Sequence, residues 1–573
     1  MAESRSGLAR TVSTVTVSLD LLASSVARLT GWRRAGVAFV AGAVSLLAMA
    51  PFHFQAVLFL TLPVFVWLID GSAPRPDLAV RHASWLRWSA SGAGRAAGAG
   101  WWFGFGYFLP GLLWIGEAFL VEAEVFAWLL PFAVTLLPAG MALYFALAAG
   151  AARSVWPAGL ARVVVLAIAL AASEWLRGHL FTGFPWNVLG YALTWPLVLM
   201  QSAGMLGIYT LTAWAVIIFA APLVGLAAAA GPTGGLRVRA AILMSALPLA
   251  LLAIYGAVVL DAGPARSVPD VALRIVQPSI PQREKWQPDN QNGNFTLHLD
   301  LSRHNQAGEI DDLAGITHLI WPEAAMPFLP LDHPQALLAI GQLLPDETRL
   351  LAGALRLDRR GTAAADGSAR ATARPRAYNS LLVLGSGGNL IGLYDKIHLV
   401  PFGEFLPFQE TLEAIGLEQI TRQRGGFTPG PEPRPLLEVA GLPPVEVLIC
   451  YEAIFPQEVV QGAARPGLLL NVTNDGWFGH TIGPYQHFHQ SRVRAVEQGL
   501  PLIRAANNGI TAMIDGHGRV LGRLELDARG VLDVALPQAL SEPPYARFGG
   551  WIFLSSLVFF ALGLALVRRR MAA

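Results

Sequence analysis

One thiol, two lysines and a handful of carboxylates are the side chains of this sequence whose types could carry covalent chemistry. The thiol is Cys450, the only cysteine among 573 residues. It ends the run Val445-Glu-Val-Leu-Ile-Cys-Tyr-Glu-Ala-Ile-Phe455, whose apolar, β-branched start reads as a buried strand. Pro456 opens what reads as a helix. A thiol between a strand end and a helix start is exposed by the turn and favoured as the thiolate. A small buried hydrophobe is the other use of such a residue. A carboxylate sits in Ile320-Trp-Pro-Glu-Ala-Ala-Met-Pro327, where prolines flanking Glu323 restrict the backbone and hold the carboxyl in place. An ammonium and another carboxylate lie in Leu393-Tyr-Asp-Lys-Ile-His-Leu-Val-Pro-Phe-Gly-Glu-Phe-Leu-Pro407, as Lys396 and Glu404. Together they suffice for acyl transfer. The carboxylate takes the thiol proton, the thiolate attacks a carbonyl, and the ammonium stabilises the oxyanion. Taken singly, each has a plain structural use.

The lysines stand out by composition. Of 41 basic residues only Lys285 and Lys396 are Lys; the rest are Arg. A position that stays Lys against that bias suits an amine better than a guanidinium.

Residues 271–537 must position these groups, and they read as one α/β domain. Strands are expected at Ala272–Gln277, Thr317–Trp321, Arg349–Leu355, Asn379–Leu384, Leu390–Tyr394, Val445–Ile449, Leu468–Val472, Leu502–Ala505, Thr511–Ile514 and Val531–Ala535. Helices are expected near 290–306, 334–344, 456–464 and 484–498. The strand ends carrying Glu323, Lys396 and Cys450 are expected to converge above one sheet. Residues 358–377, rich in Arg, Ala and Gly, read as a mobile surface loop. His480, His487 and His489 could suggest a metal, but i,i+2 residues on a helix point apart, so no metal is expected. Phe402, Phe405, Leu406, Phe408 and Leu412 form an apolar cluster, suited either to core packing or to an arm dipping into lipid.

The remainder is a membrane sequence. Hydrophobic residues make up 54% of the chain and charged ones 14%, against about 25% charged in soluble domains. A net charge of +2 argues against a nucleic-acid partner. One cysteine excludes an internal disulfide and a cysteine-based zinc site. After a segment 1–35 with no signal-peptide pattern, seven apolar stretches fall in 36–260, at about 36–50, 54–69, 96–115, 125–149, 163–178, 204–229 and 239–260; an eighth spans 549–567. The first two are short and suit a tight or re-entrant hairpin. Arginines recur in alternate loops: Arg28, Arg33 and Arg34; Arg75, Arg81, Arg87 and Arg95; Arg153 and Arg162; Arg237 and Arg239; Arg568 to Arg570. The positive-inside rule puts both termini in the cytoplasm and residues 271–537 outside. Within the fifth stretch, Glu174 and Arg177 are i,i+3 and can pair. At the outer end of that stretch they suit either a lipid headgroup or an interfacial aromatic belt with a snorkelling Arg.

The segments quoted around Glu323, Lys396 and Cys450 resemble the Glu-Lys-Cys triad of the nitrilase superfamily. The whole pattern, apolar spans followed by this domain and a last span, resembles the apolipoprotein N-acyltransferase family. Similar segments include Glu174-Trp-Leu-Arg-Gly, Phe184-Pro-Trp, Pro281 to Trp286, Asn474-Asp-Gly-Trp-Phe-Gly479, Gly483-Pro-Tyr-Gln-His487, Arg492 to Glu497 and Asn507-Asn-Gly-Ile-Thr511. The resemblance covers about 36–567 and is weakest near 358–377. It implies a polytopic α-helical membrane domain plus an α/β nitrilase-like domain, an α-β-β-α sandwich, on the periplasmic side of the bacterial inner membrane. It also implies a reaction without cofactor or metal. An acyl chain passes from a phospholipid, phosphatidylethanolamine in particular, to the thiol as a thioester. It then passes to the N-terminal amine of the S-diacylglyceryl-cysteine of lipoproteins. By the same resemblance Cys450 is nucleophile, Glu323 general base and Lys396 oxyanion partner. Glu404 orients Lys396 or the acceptor amine, the Tyr451 N–H joins the oxyanion hole, and Trp286 and Glu452 lie near the site. A membrane-tethered amidase that hydrolyses its thioester is the alternative. A transporter would need ionisable residues in several spans, which are nearly absent here.

Overall fold

The structure, a computed structural model, describes residues 16–72, 92–229, 234–359, 375–414, 419, 426–462 and 464–572. The expected loop holding Arg75, Arg81 and Arg87, most of the 358–377 insert and the start of the 1–35 segment lie outside the described residues. The chain divides into two compact units. One takes everything up to Leu113, then Pro131–Ala262 and Pro544 onward; the other takes Trp114–Leu130 and Gly263–Pro543.

The first unit is helical. A helix lies over each apolar stretch: α1 Gly31–Ser45, α2 Leu58–Asp70, α3 Ala93–Gly111, α4 Leu130–Ser154, α5 Ala161–His179, α6 Leu197–Ala227, α7 Gly234–Asp261 and, at the end of the chain, Gly550–Ala572. Among the described residues three helical stretches, Ala123–Ser154, Leu197–Ala227 and Gly234–Asp261, are long and apolar enough to cross a membrane. α6 is apolar all round and mostly buried, as a central helix should be. α7 instead turns Ile242, Leu243, Leu247, Leu251, Ile254 and Val258 outward. Apolar side chains facing outward along a whole helix suit a lipid surround rather than water.

Small residues set how closely these helices approach. A Cβ on Gly42 of α1 would fall 1.9 Å from the Phe103 carbonyl oxygen of α3, and one on Gly106 of α3 would fall 2.0 Å from that of Phe39. Backbone-to-backbone packing of this kind is open only to glycine. The Glu174–Arg177 pair corrects an expectation. It neither faces a headgroup nor snorkels: both side chains are fully buried, with Arg177 bonded to Glu174 and to the carbonyls of Phe184 and Trp186. Its guanidinium also lies 4.9 Å from the Phe108 ring centroid. A charge among apolar helices must be paired and hydrogen-bonded, and the loop after α5 supplies the carbonyls.

The second unit is a two-sheet sandwich. Its strands are β1 Ser267–Gln277, β2 His318–Trp321, β3 Arg349–Asp358, β4 Arg376–Leu384, β5 Leu390–Asp395, β6 Val445–Ile449, β7 Leu468–Thr473, β8 Leu502–Ala506, β9 Thr511–Ile514, β10 Val520–Leu524 and β11 Gly530–Pro537. One sheet runs β11-β1-β2-β3-β4-β5 and the other β10-β9-β8-β7-β6. β1, β2 and β3 are parallel, as are β6, β7 and β8; the flanking pairs are antiparallel. Both faces of the parallel strands are buried, which explains their near-continuous apolar runs. Helices α8 Gln291–Ser302 and α9 Pro334–Leu343 cover the first sheet, through Phe295, Leu299, Leu337 and Ile340 on Leu319, Trp321 and Leu350. Helix α10 Gly483–Gln498 covers the second, with Phe488 and Ala495 on Leu448, Leu469 and Leu502.

Two further expectations are corrected here. Among the described residues of 456–464 there is no helix: Cys450–Ile454 is one short 3-10 turn, and residues 456–458 follow as a further turn. Pro456 to Gly462 includes two β-branched valines and a glycine, too short and too weak a run to hold a helix alone. The reactive strand ends also do not rise above one sheet. β2 and β5 belong to the first sheet and β6 to the second. β10 was not anticipated, because Gly522 and Arg523 interrupt its apolar pattern.

Gly106→Ala should overpack the α1–α3 contact, costing about 1–3 kcal/mol. Thermal melting in detergent should show that loss. Gly36→Ala, where a Cβ meets nothing within 4 Å, should melt with the parent; equal melting of both variants would refute the close-packing account.

Candidate active site

The ends of β2, β5 and β6 bring five ionisable side chains into one buried cluster. Glu323 follows β2 by two residues. Its turn is fastened to β3, the Ala325 N–H bonding the Gly353 carbonyl at 2.8 Å. Gly353 has to be glycine, since a Cβ there would lie 2.5 Å from the Glu323 Cα. Ala324 takes φ 46° to complete this turn. Lys396 follows β5 directly, its N–H bonded to the Asn379 carbonyl of β4 at 2.8 Å. Cys450 follows β6 with φ 52°, a left-handed conformation rare for a side chain of its kind.

The Lys396 ammonium sits 2.9 Å from each oxygen of Glu404. Glu404 also accepts the Val400 N–H at 2.8 Å. Between the two carboxylates lies Asn379, whose Nδ2 donates to Glu323 Oε1 at 2.8 Å and to Glu404 Oε1 at 3.1 Å. The other Glu323 oxygen, Oε2, is buried and makes no hydrogen bond among the described residues. Burial, with Glu404, raises the Glu323 carboxyl above the usual range, and Lys396, Asn379 and Lys285 hold that rise back. Burial alone would lower Lys396, but Glu404, Glu323 and Cys450 outweigh it and hold the ammonium firmly charged. The Cys450 thiol is pushed well up by burial and by Glu323, against which Lys396 and a hydrogen bond from Thr473 work. The expected helix-start activation is therefore absent. Ionising this thiol requires that its proton go to a neighbour, and Glu323 Oε2 is the unoccupied acceptor.

Glu452 ties the two sheets together at this point. One of its oxygens accepts the N–H groups of Ile397 and His398, at 2.9 and 3.0 Å, just past Lys396. The other accepts the Ile449 N–H at 2.7 Å, just before Cys450. Arg434, fully buried, pairs with Glu452 at 3.0 Å and with Glu446 at 3.5 Å. Burial would raise Glu452, but Arg434 and these N–H donors keep it below the usual carboxylate range. Behind the thiol, the Cys450 carbonyl accepts from Asn471 Nδ2 at 3.3 Å and faces His487 Nε2 at 3.2 Å. His487 Nδ1 lies 3.0 Å from Asp475, which Arg504 holds at 2.7 Å. Burial and Arg504 lower His487, while Asp475 and the Cys450 carbonyl pull it back up.

The remaining expected residues lie around this cluster. The Tyr451 ring packs on Phe455 and His398, at centroid distances of 4.8 and 5.5 Å. Trp286 is partly exposed next to buried Lys285. The apolar cluster after Lys396 divides: Leu406 is buried and Phe405 packs on the Ala377–Leu399–Phe427 core, whereas Phe402 and Phe408 are 55% and 86% exposed. His480 is exposed, apart from the buried His487 and His489. Three residues of the cluster were not assigned roles from sequence: Asn379, Lys285 and His487. For Asn379 a signal existed, since Asn is disfavoured inside a strand and stands here in the otherwise strand-forming run Ala-Tyr-Asn-Ser-Leu-Leu-Val-Leu. For Lys285 it was the lysine bias itself.

Two family patterns match the chain. Carbon-nitrogen hydrolase matches residues 273–543, and Apolipoprotein N-acyltransferase N-terminal domain matches residues 41–221. A protein of Rhodopseudomonas palustris named apolipoprotein N-acyltransferase is 46% identical over 96% of this chain and 98% of its own. Proteins of the same name are 44% identical in Bradyrhizobium diazoefficiens, over 95% of this chain and 96% of theirs, and 43% identical in Brucella melitensis, over 96% and 99%.

Asn379→Leu keeps the size of the side chain and removes both carboxylate bonds. A hydrogen bond to a charged group contributes about 1.5–3 kcal/mol, so alkylation of Cys450 by a small electrophile at neutral pH should slow roughly tenfold or more. Intact mass gives that rate cleanly because the chain has one thiol. A rate within about twofold of the parent would show the bridge to be dispensable.

Proposed function

This chain is a member of the apolipoprotein N-acyltransferase family, an enzyme of lipoprotein maturation, and we propose that it works through a thioester on Cys450 with Glu323 as base and Lys396 as oxyanion partner. The observation that carries this reading is the buried Glu323–Asn379–Glu404–Lys396 array beside the only thiol, with one Glu323 oxygen left unbonded.

The chemistry follows in two halves. Glu323 takes the Cys450 proton and the thiolate attacks the ester carbonyl of a phospholipid, with phosphatidylethanolamine as the proposed donor. The charge developing on the carbonyl oxygen falls to the Lys396 ammonium, and the Tyr451 N–H is the proposed second donor. The tetrahedral adduct collapses by breaking the ester bond, and Glu323 returns its proton to the departing lysophospholipid oxygen. In the second half the α-amine of a diacylglyceryl-cysteine attacks the thioester, gives a proton to Glu323 and expels the thiolate. Glu404 keeps Lys396 in place throughout, and its two-oxygen grip fits that role better than a contact with the acceptor amine. Exposed Trp286, Phe402 and Phe408 offer apolar surface for lipid at the rim. Burial of the array limits water, which would otherwise take the acyl group.

Both substrates are membrane lipids, and we place the enzyme in the bacterial inner membrane with the catalytic unit on the periplasmic side. The arginine alternation supports this. So does the segment between α3 and α4, which carries acidic residues, belongs to the catalytic unit, and packs Trp114 on Phe478 at 4.5 Å.

Mixing the protein with phosphatidylethanolamine vesicles and no acceptor should add one acyl mass to the parent and nothing to Cys450→Ala; an adduct on the alanine variant would sink the thioester route. Lys396→Arg keeps the charge but not the compact ammonium geometry. Loss of one oxyanion donor costs about 3–4 kcal/mol, so adduct formation in that folded variant should slow roughly a hundred- to a thousandfold. A rate within about threefold of the parent would remove Lys396 from the oxyanion role.

A further inference from the structure

The chain's other lysine lies in the same cluster. Lys285 follows β1 in the short helical turn Gln282–Lys285, and it is 1% exposed. Its ammonium donates to the Glu323 carbonyl oxygen at 3.1 Å. A fully buried ammonium is costly unless its charge is needed, and here it sits among groups of opposite sign. The charge balance shows why. Glu323 and Glu404 bring two negative charges into a site closed to water, and Lys396 supplies one positive charge, which Glu404 grips with both oxygens. With Lys396 alone, Glu323 would be an excess buried carboxylate and would take up a proton. A protonated Glu323 cannot accept the thiol proton.

We propose that Lys285 is the second cation of the catalytic centre, and that its ammonium keeps Glu323 ionised and ready to accept the Cys450 proton. The inference rests on the assignment of Glu323 as base. Lys285 acts through Glu323, so it is a positioning residue rather than a reacting one. With it in place, the array is neutral both as carboxylate plus thiol and as carboxylic acid plus thiolate. The proton therefore moves between the two without leaving a net charge in the buried site. The charged and titratable groups around these two are Lys396, Glu404, Asp475 and His298. His298 is held neutral by burial, at about 4, so it supplies no cation in place of Lys285. Burial lowers Lys285 itself to about 8, with Glu323 and Cys450 pulling it back up; it remains mostly charged at neutral pH.

The test is the pH profile of Cys450 alkylation by iodoacetamide, read by intact mass in the full-length protein in detergent. Glu323 and Cys450 titrate as a pair, and the acid limb reports loss of the ionised base. Lys285→Met and Lys285→Gln remove the charge, and Gln retains a donor for the Glu323 carbonyl. Both should move the acid limb to higher pH by on the order of one unit, with the rate recovering on the alkaline side. Lys285→Arg should hold the limb close to the parent. A uniform loss at every pH, an unchanged profile in the neutral variants, or a shift in Lys285→Arg as large as in Lys285→Met would overturn the inference. Thermal melting accompanies each variant; if Lys285→Met melts early, Lys285→Gln decides, and collapse of both would show a structural role and overturn it too. Glu323→Gln separates the underlying assignment. Alkylation at the parent rate in Glu323→Gln would remove Glu323 as base; a slow Glu323→Gln beside unshifted Lys285 variants would remove only the role of Lys285.

Discussion

Two carboxylates that must share one buried site set the terms for the catalytic unit. Glu323 and Glu404 are both closed off from water, and like charges at close range in low dielectric cannot both persist without compensation. Asn379 donates to each, Lys396 is gripped by one, and Lys285 donates to the backbone of the other. Every one of these compensating groups comes from a different element: β4, the end of β5, and the turn after β1. The first sheet must therefore be closed, with β1 to β5 in register, before the carboxylates can be charged together. Stability of that sheet and readiness of the site are one requirement.

The thiol comes from the other sheet, and the join between the sheets is also electrostatic. Glu452 accepts N–H groups from both strand ends, so the Lys396 and Cys450 turns cannot drift apart without stranding a buried carboxylate. Arg434 neutralises it and also reaches Glu446 and the Val447 carbonyl. On the far side, Asn471 and His487 grip the Cys450 carbonyl and stabilise the left-handed turn that aims the thiol. The Cys450 thiol is thus held by its main chain and left chemically unactivated by its own turn. In the proposed mechanism activation falls to Glu323. That division suits a thiol that must survive in a membrane enzyme between turnovers, since a thiolate held by a lowered pKa would be open to oxidation.

The helical unit solves a different problem with different means. Its helices meet through glycines whose missing Cβ allows backbone contact, and the fully buried Glu174–Arg177 pair is bonded by carbonyls of the following loop. Outward apolar rows on α7 complete a surface fit for lipid.

Local order was legible in the sequence. Periodicity found ten of the strands because both faces of the central ones are buried and their apolar runs are unbroken. It missed β10, an edge strand carrying Gly522 and Arg523. The residue types around Glu323, Lys396 and Cys450 suggested acyl-transfer chemistry, because a carboxylate, an amine and a thiol at strand ends have few other joint uses. Tertiary structure alone decided which strand end belongs to which sheet, since pairing such as β1 with β11 joins residues more than 250 positions apart and leaves no local trace. It alone turned Glu174 and Arg177 inward, because burial of a pair depends on carbonyls contributed by a separate loop. It replaced a helix after Cys450 by a turn, so no helix end favours the thiolate. And it gathered Asn379 and Lys285 around Glu323: charge compensation is a property of distances in space, and neither residue lies near Glu323 along the chain.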